Sequence, residues 1–263
     1  MNNALIGHSG FVGSTLLKQT RFEAMFRSTD IQEIAGRDFD TVVCAGAPAQ
    51  KWIANKDPRA DLEKIRQLMA HLGSMQCRTF VLISTVDVFQ HPIGVREDSP
   101  VPAEGLHAYG LHRRYLEEFV QERFANHLIV RLPGLVGPGL RKNVIFDLHN
   151  ANQLHAIESR GCFQFYPMVN LWSDIGTALK ARLKLVHLTA APITVAQVAQ
   201  EGFGQTFTQT LEGRDPATYD MQTLHAEVFG GQGAYQYSQR ETLQAIRSYA
   251  QWEPRALAPE VGA

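Results

Sequence analysis

The sequence predicts an α/β fold built on a doubly wound parallel sheet, and two observations lead to this prediction. Short apolar segments alternate with longer segments in which apolar residues recur at helical spacing. The segment at residues 80–83 is apolar at every position, as expected for a strand whose two faces are both covered by helices. Strands that alternate with helices in this way pair in parallel, since each helix returns the chain to the same edge.

The first half of the chain contains most of the predicted sheet. Strands are predicted at residues 4–6, 24–26, 41–45, 80–83 and 127–131, and helices at residues 11–19, 61–72 and 108–124. The connection between the second and third strands, residues 28–40, leaves little room for a full helix. The second and third strands are therefore expected to be joined without one.

The pattern is less regular beyond residue 139. Helices are predicted at residues 143–150, at residues 173–183 and from residue 194. Strands are predicted at residues 162–166 and 184–188, and the strand at 184–188 could rejoin the main sheet. Ser238-Gln239-Arg240-Glu241 is a capping box that opens a last helix, to about residue 251. The tail after Pro254 is expected to fray. We therefore divide the chain into a domain of residues 1–150 and a smaller lobe of residues 151–263, folded over the carboxyl ends of the strands.

Composition and charge argue against several classes of partner. The 25 Lys and Arg residues nearly balance the 26 Asp and Glu residues, so the net charge of −1 gives no footprint for nucleic acid or an anionic membrane. No apolar run approaches the ~20 residues that span a bilayer, and no secretory signal is visible. Free cysteines and a cytoplasmic location are therefore expected, and the scattered histidines indicate no metal site.

A glycine-rich segment after the first strand predicts a dinucleotide site. Glycines at positions 7, 10 and 13 form a G-x-x-G-x-x-G pattern between a strand and a helix. A pyrophosphate needs backbone N–H groups and the positive end of a helix, and glycine permits close approach because it has no Cβ. The first 150 residues are thus predicted to form a Rossmann domain, whose phosphate loop contributes Gly7, Ser9, Gly10, Phe11, Val12 and Gly13 to the cofactor site.

The residues after the second strand favour NADP as the cofactor. Rossmann domains usually hold the ribose of NAD with an acidic residue about 20 residues past the glycine loop. This chain has Arg27-Ser28-Thr29 at that place, and an arginine suits the 2′-phosphate of NADP. NADP is therefore predicted, with NAD as the alternative and with Arg27 and Ser28 in the site.

Three later segments carry polar residues in a recognisable order. Residues 83–89, Ile-Ser-Thr-Val-Asp-Val-Phe, are similar to an S-[ST]-x-x-V-[YF] strand end. Tyr109-Gly110-Leu111-His112-Arg113 looks like a Y-x-x-x-K helix, and residues 131–139 are similar to R-x-P-x-x-[VY]-G-P-G. Together with the glycine loop, these segments resemble the extended short-chain dehydrogenase/reductase family over residues 1 to about 145.

This resemblance implies hydride transfer at a carbinol or carbonyl carbon, with Tyr109 exchanging the proton and Thr85 hydrogen-bonding the same oxygen. A free tyrosine has a pKa of about 10 and needs nearby positive charge to act as a base near neutrality. In the family a lysine supplies that charge, whereas position 113 here is arginine, which stays cationic but is forked and no proton relay. Either Arg113 has taken over this role, or the site binds cofactor without efficient turnover.

Further site residues follow from the resemblance and from charge. The resemblance places Asp87 and Gly134 beside the substrate, although many nucleotide-sugar enzymes of the family have asparagine where Gly134 stands. Arg141, Lys142 and Asn143 open a predicted helix beside the cleft, where two cations could clamp a diphosphate. The remaining cofactor contacts that the resemblance implies are Ala45, Gly46, Ala47, Ser84 and Pro133.

The sequence thus predicts an NADP-dependent enzyme acting on a nucleotide sugar, either a 4-keto-sugar reductase or an epimerase/dehydratase. The short connection at residues 28–40 and the Ser84-Thr85 pair resemble the keto-sugar reductases. The alternative is a non-catalytic NADP-binding regulator or partner protein, because of Arg113 and Gly134. The resemblance also implies a homodimer formed through the helices at residues 61–72 and 108–124.

Overall fold

The computed structural model describes residues 2–256, so most of the tail that is expected to fray, residues 257–263, lies outside the described residues. The strands are β1 (Asn3–Ile6), β2 (Ala24–Phe26), β3 (Asp38–Cys44), β4 (Gln76–Thr85), β5 (Ile93–Val95), β6 (His127–Leu132), β7 (Gly134–Val136), β8 (Cys162–Phe163), β9 (Phe165–Pro167), β10 (Leu185–His187), β11 (Ile193–Thr194) and β12 (Asp220–Met221). The α-helices are α1 (Phe11–Gln19), α2 (Lys51–Lys56), α3 (Pro58–Gly73), α4 (Ala108–Arg123), α5 (Val144–Asn150), α6 (Leu171–Lys180), α7 (Val195–Gln197) and α8 (Gln239–Trp252).

The central sheet confirms the predicted fold class. It has six strands in the order β10-β6-β4-β3-β1-β2, and every pairing in it is parallel. The order reverses between β1 and β3, because the chain runs from β1 outward to β2 and then returns to build the other side. The carboxyl ends of β1 and β3 diverge at this point, and open α/β sheets bind their ligands in the crevice that results.

Two connections explain this strand order. Between β2 and β3 the chain makes only one short 3-10 turn, Ile31–Ile34, as the length of the connection predicted. Without a full helix there, the chain returns directly from the edge strand to β1. On the opposite side β10 pairs with β6, with Leu185 beside Ile129, so a segment beyond residue 150 completes the sheet.

Helices cover both faces of the sheet, which accounts for the continuous apolar run in β4. Phe80 and Leu82 face one apolar layer, which includes Ile65 of α3 and Val120 of α4. The intervening β4 residues, Val81 and Ile83, face a second layer formed with α1 and α6. The helices α3 and α4 pack against each other on the first face. Their pairing with a second copy of the chain stays a prediction.

One helix was missing from the sequence interpretation. The helix α2 lies between β3 and α3, in a stretch for which the sequence pattern predicted neither a helix nor a strand. The Asp57 carboxylate accepts a hydrogen bond of 3.1 Å from the Ala60 amide, and Pro58 is at the first helical position. The helix α3 therefore begins three residues before the predicted start at residue 61.

The predicted strand at residues 162–166 is divided in two at Gln164. Its first part, β8, pairs with β11, whereas β9 pairs with β7. The buried Gln164 amide donates to Ala190 O and Met221 O, and its oxygen accepts from Met221 N. These bonds turn the chain between two small sheets, because they hold Gln164 out of a regular ladder.

Elsewhere in the second half, α5, α6 and β10 lie within a few residues of the predicted elements, whereas the short strands β11 and β12 were not predicted. The capping box at Ser238 and Glu241 is present and opens α8, and a second box at Thr194 and Gln197 opens α7, which continues as a π-helix over Val198–Gly202. Within residues 2–256 no helix is both long enough and apolar enough to cross a membrane. In the same range no group of three His, Cys, Asp or Glu side chains is placed to hold a metal ion.

Candidate functional site

The glycine loop lies in the crevice between β1 and β3, and two of its glycines are required by packing. Gly7 has a φ of +84°, and a Cβ on it would lie 2.4 Å from the Ala45 carbonyl oxygen. A Cβ on Gly13 would lie 2.2 Å from the Gly7 carbonyl oxygen. The loop therefore passes between the end of β3 and the start of α1 without room for a side chain at either position.

Gly10 has a different environment from Gly7 and Gly13. The nearest atom to a Cβ on Gly10 would be the Gly7 carbonyl oxygen at 3.5 Å, an ordinary contact. Gly10 is the N-cap of α1, and no side chain caps this nine-residue helix and no acidic residue lies in its first turn. The first-turn amides are thus open to an anion, which fits a pyrophosphate group.

Alanine substitutions in this loop are expected to separate packing from ligand binding. Gly13→Ala should lower the free energy of unfolding by about 1–3 kcal/mol, because the new methyl group meets backbone. Gly10→Ala should leave stability within about 0.5 kcal/mol of wild type and still weaken NADPH binding, because the methyl group stands where a phosphate would approach. Denaturant titration and fluorescence titration with NADPH measure the two quantities.

Gly176→Ala in α6 is the matched control for both variants. A Cβ there would meet nothing within 4 Å, so neither stability nor NADPH affinity should fall. NADPH binding by Gly10→Ala at wild-type affinity would contradict the assignment of this loop to the cofactor.

The residues predicted to select NADP lie exposed at the end of β2. The Arg27 side chain is 55% exposed, and its Nε lies 3.4 Å from Asp30 Oδ2. The Asp30 carboxylate also accepts a hydrogen bond from Arg27 N, and chiefly for this reason its pKa is lowered. A 2′-phosphate would therefore compete with Asp30 for Arg27, and Ser28 is exposed beside them.

The start of α4 brings Tyr109, Thr85 and Asp87 together. A Cβ on Gly110 would lie 2.0 Å from the Asp87 carbonyl oxygen, so the first turn of α4 is in close contact with the turn that follows β4. Thr85 Oγ1 accepts a hydrogen bond of 3.1 Å from Asp87 N in that turn. Tyr109 N donates to Asn55 Oδ1 of α2 at 3.0 Å, which fixes the other side of the helix start.

The environment of the Tyr109 hydroxyl favours its neutral form. Burial raises the pKa of Tyr109 above its usual value, and the Asp87 carboxylate adds to this effect. Arg113, Lys51 and the Thr85 hydroxyl lower this pKa, but together they do not offset burial. In this state the side chain is suited to donate a proton.

Arg113 is a buried member of the interface between α3 and α4. It is 3% exposed, and its Nη1 lies 2.5 Å from Asp61 Oδ2. Nη2 donates to the Pro48 carbonyl oxygen, and the guanidinium carbon is 4.1 Å from the centroid of the Tyr109 ring. Asp61 also contacts His112 Nδ1 at 2.7 Å. The charge of Arg113 is therefore paired with Asp61 and lies over the ring face of Tyr109.

A second cation reaches the site from α2. Lys51 Nζ lies 2.7 Å from Asp87 Oδ1 and 3.4 Å from the Tyr219 hydroxyl, which is itself 3.3 Å from Asp87 Oδ1. Burial by itself lowers the pKa of Lys51, because it disfavours the charged ammonium. The Asp87 carboxylate outweighs this effect, so the pKa of Lys51 is raised above its usual value. Lys51, Asp87 and Tyr219, called here the Lys51 cluster, thus carry one positive and one negative charge beside Tyr109.

Several predicted site residues have structural contacts of their own. Ser84 donates a hydrogen bond of 2.5 Å to Glu117 Oε1, in a buried network in which Glu117 also binds Arg131 through two bonds. A Cβ on Gly134 would lie 2.6 Å from the Gln164 carbonyl oxygen, so the close approach of β9 requires glycine there. Pro133 is buried, and Ala45, Gly46 and Ala47 follow β3 beside the glycine loop.

The predicted diphosphate clamp lies between this site and the second half of the chain. Lys142 Nζ donates to the Ala49 carbonyl oxygen, and Arg141 is exposed. Asn143 is the N-cap of α5: its Oδ1 accepts from Ile145 N at 2.9 Å, and its Nδ2 donates to Leu135 O. Because capping occupies the Asn143 amide, Arg141 and Lys142 are the residues of this group with charge to offer a ligand.

A cavity of about 430 Å³ adjoins this clamp in the second half. Its lining combines apolar side chains with charged ones, among them Val144, Asp147, Glu158, Phe163, Leu211 and Arg214. The Phe163 ring stacks on Tyr219 of the Lys51 cluster, with 5.6 Å between centroids. The cavity and the Tyr109 region are therefore connected through the Tyr219–Phe163 pair.

The sequence interpretation did not include Lys51, Asn55 or Tyr219. The available signal for the first two was position, because they follow the carboxyl end of β3, where sheets of this kind place ligand contacts. Tyr219 belongs to a stretch without a periodic pattern, and only the folded chain brings it to Asp87.

No family model matches the chain, and no curated protein matches it significantly. Solved structures do match over nearly the whole length. A dTDP-4-dehydrorhamnose reductase from Clostridium acetobutylicum is 17% identical, with a TM-score of 0.74 over 95% of this chain and 99% of its own. UDP-glucose 4-epimerase from Thermotoga maritima, solved with UDP-glucose, is 14% identical, with a TM-score of 0.69 over 96% and 98%. RMD from Pseudomonas aeruginosa, complexed with NADPH, is 16% identical, with a TM-score of 0.69 over 95% and 99%.

Proposed function

We propose that the chain is an NADP-dependent reductase of a keto group on a nucleotide-linked sugar. Its Rossmann fold is shared by a dTDP-4-dehydrorhamnose reductase and a UDP-glucose 4-epimerase. The observation that carries this proposal is the close contact between the first turn of α4, which bears the buried Tyr109, and the turn that follows Thr85. In a reductase Tyr109 would donate the proton, and in an epimerase or dehydratase that begins by oxidising an alcohol the same side chain would accept it.

The glycine loop fits the cofactor. Gly10 leaves the first-turn amides of α1 open, and Arg27 offers a cation to a 2′-phosphate, with NAD as the alternative if Asp30 keeps that arginine. The reduced nicotinamide, when bound, supplies the hydride.

The side chains beside the cofactor would handle the carbonyl oxygen. Tyr109 donates its proton to this oxygen as the hydride arrives at carbon, and Thr85 donates a hydrogen bond to the same oxygen. Arg113, over the ring of Tyr109, stabilises the phenolate that remains. Solvent then returns the proton to Tyr109.

The shape and charge of the cleft support an extended substrate with a diphosphate. Asp87 and Tyr219 offer hydrogen-bonding groups for sugar hydroxyls next to Tyr109. Arg141 and Lys142 at the start of α5 suit a diphosphate, and α5 leads to the cavity, where Phe163 offers a ring to a base. The structural neighbours include dTDP-4-dehydrorhamnose reductases, one of them in complex with NADP, and sugar-nucleotide 4-epimerases, so a nucleotide-linked sugar suits either reaction.

The test is NADPH oxidation, followed by absorbance, with a panel of dTDP-, UDP- and GDP-linked 4-keto sugars. At least one should be reduced, with NADPH preferred to NADH, and free keto sugars without the nucleotide should react far more slowly. Tight NADPH binding without turnover of any sugar in the panel would contradict the enzyme proposal.

That contradicting result is what the second candidate predicts. A non-catalytic NADP-binding regulator is favoured by one observation: the position of the family lysine holds Arg113, whose guanidinium is bound to Asp61 and to the Pro48 carbonyl oxygen. Such a protein would bind NADP and NADPH without consuming either. Its affinity for its partner would differ between the NADP-bound and the NADPH-bound state.

A further inference from the structure

The segment from Pro48 to Asn55 contacts the candidate site at four places. Its Pro48 and Ala49 carbonyl oxygens accept from Arg113 and Lys142, and Asn55 accepts from Tyr109 N. The fourth contact is the only one of the four between opposite charges, Lys51 Nζ to Asp87 Oδ1 at 2.7 Å. A lysine on this segment therefore reaches the turn that follows Thr85.

The charges around Tyr109 form two pairs. On its own helix Arg113 is paired with the buried Asp61. Across from it, Asp87 is paired with Lys51, whose side chain is 39% exposed while that of Asp87 is 17% exposed. Without Lys51, the Asp87 carboxylate would lose the cation that contacts it, and its charge, which raises the pKa of Tyr109, would oppose the phenolate that forms when Tyr109 gives up its proton.

We propose that Lys51 is a positioning residue of the Tyr109 site, which neutralises the Asp87 carboxylate and holds it, with Tyr219, away from the reacting oxygen. This inference rests on the proposed function in one respect, since it assigns the proton exchange to Tyr109. It gives a lysine of α2 an electrostatic role beside Tyr109, in addition to that of Arg113 on the tyrosine helix.

The electrostatics of Tyr109 support this role. The charged groups that face it are Arg113 from its own helix, Asp87 from the turn after β4 and Lys51 from α2, and the Thr85 hydroxyl faces it from β4. Asp87 raises the pKa of Tyr109, and Lys51 lowers it. The charged and titratable groups around Asp87 are Lys51, Lys142, His107 and Tyr219. Of these, Lys51 is the cation in direct contact.

The test is the pKa of Tyr109 itself, measured in the full chain by NMR of isotope-labelled tyrosine, with the resonance assigned from Tyr109→Phe. Lys51→Met should raise this pKa by about one unit, a tenfold change in the ionisation constant, and Asp87→Asn should lower it. In the double variant the two shifts should largely cancel, because the residues act as a pair. Lys51→Arg should stay near wild type, since it keeps the charge.

Lys56→Met is the matched control, because Lys56 is an exposed lysine at the other end of α2. It should leave the pKa of Tyr109 unchanged. An unchanged pKa in Lys51→Met would overturn the proposal, as would a double variant that keeps the full shift of Lys51→Met. Because this titration needs neither cofactor nor sugar, its result is independent of whether NADPH is oxidised, so failure of the proposed function is seen separately.

The pH dependence of the reduction rate connects the titration of Tyr109 with the proposed function. Reduction requires protonated Tyr109, so its rate falls at alkaline pH as Tyr109 ionises. In Lys51→Met this alkaline limb should move to higher pH by the same amount as the NMR titration, while the KM for NADPH stays constant. A change of rate at all pH values without a shift of the limb would indicate a structural effect only and overturn the assigned role.

Discussion

Replacing Tyr109 by phenylalanine is expected to lower kcat for sugar reduction by about 100- to 10,000-fold, which is the usual contribution of a positioned general acid. The substitution removes the hydroxyl and keeps the ring that packs under Arg113, so the fold should be retained. Since the phosphate loop is untouched, the dissociation constant of NADPH should stay close to that of wild type. Steady-state kinetics and a fluorescence titration with NADPH measure the two effects.

Tyr115→Phe is the matched control for this variant. Tyr115 is on the same helix, 39% exposed, and has no part in the site. Removing the Tyr115 hydroxyl should leave kcat unchanged. If Tyr109→Phe retains more than a tenth of the wild-type kcat, another group supplies the proton and the assignment of Tyr109 is wrong.

Replacing Asp61 by leucine is expected to lower the free energy of unfolding by about 3–5 kcal/mol, because it leaves the buried Arg113 without its counter-ion. Arg113 and Asp61 are 3% and 5% exposed as side chains, so water cannot take the place of the carboxylate. His112 loses its contact with Asp61 at the same time. Urea or guanidinium unfolding measures the effect.

The double variant Asp61→Leu/Arg113→Met separates the charge pair from its packing. Apolar replacement of both partners of a buried pair is often neutral, so much of the lost stability should return. Glu63→Leu, an exposed position on the same helix, is the control and should change stability by about 0.5 kcal/mol or less. A single Asp61→Leu variant as stable as wild type would show that Arg113 is not held by this carboxylate.

The sequence was most informative where local pattern decides structure. The span of α1 was predicted without error, because a glycine loop marks its start and apolar spacing marks its length. Both faces of β4 are buried, so its apolar run indicated a central strand. The pattern was less informative in the second half, where β8 and β9 are short and a single buried glutamine divides them.

Tertiary packing also changed the meaning of residues that the sequence did identify. Gly134 looked like a loss of a substrate contact, and the structure gives it a packing role against the Gln164 carbonyl oxygen. Asn143 looked like part of a diphosphate clamp, and its amide caps α5. Ser84 follows a buried strand run, and its hydroxyl is used by Glu117. Each of these contacts joins residues distant in sequence or depends on a backbone geometry that residue spacing does not specify.

By itself the sequence determined the parallel sheet, the glycine loop between β1 and α1 and the order of Thr85, Tyr109 and Arg113, because these depend on periodicity and on fixed short spacings. Only the tertiary structure decided how the charges around Tyr109 are paired. Arg113 is bound to Asp61 and Asp87 to Lys51, and both pairs join segments that are tens of residues apart. The physical reason is that electrostatic interactions depend on distance and burial in the folded chain, which residue spacing within one helix cannot report.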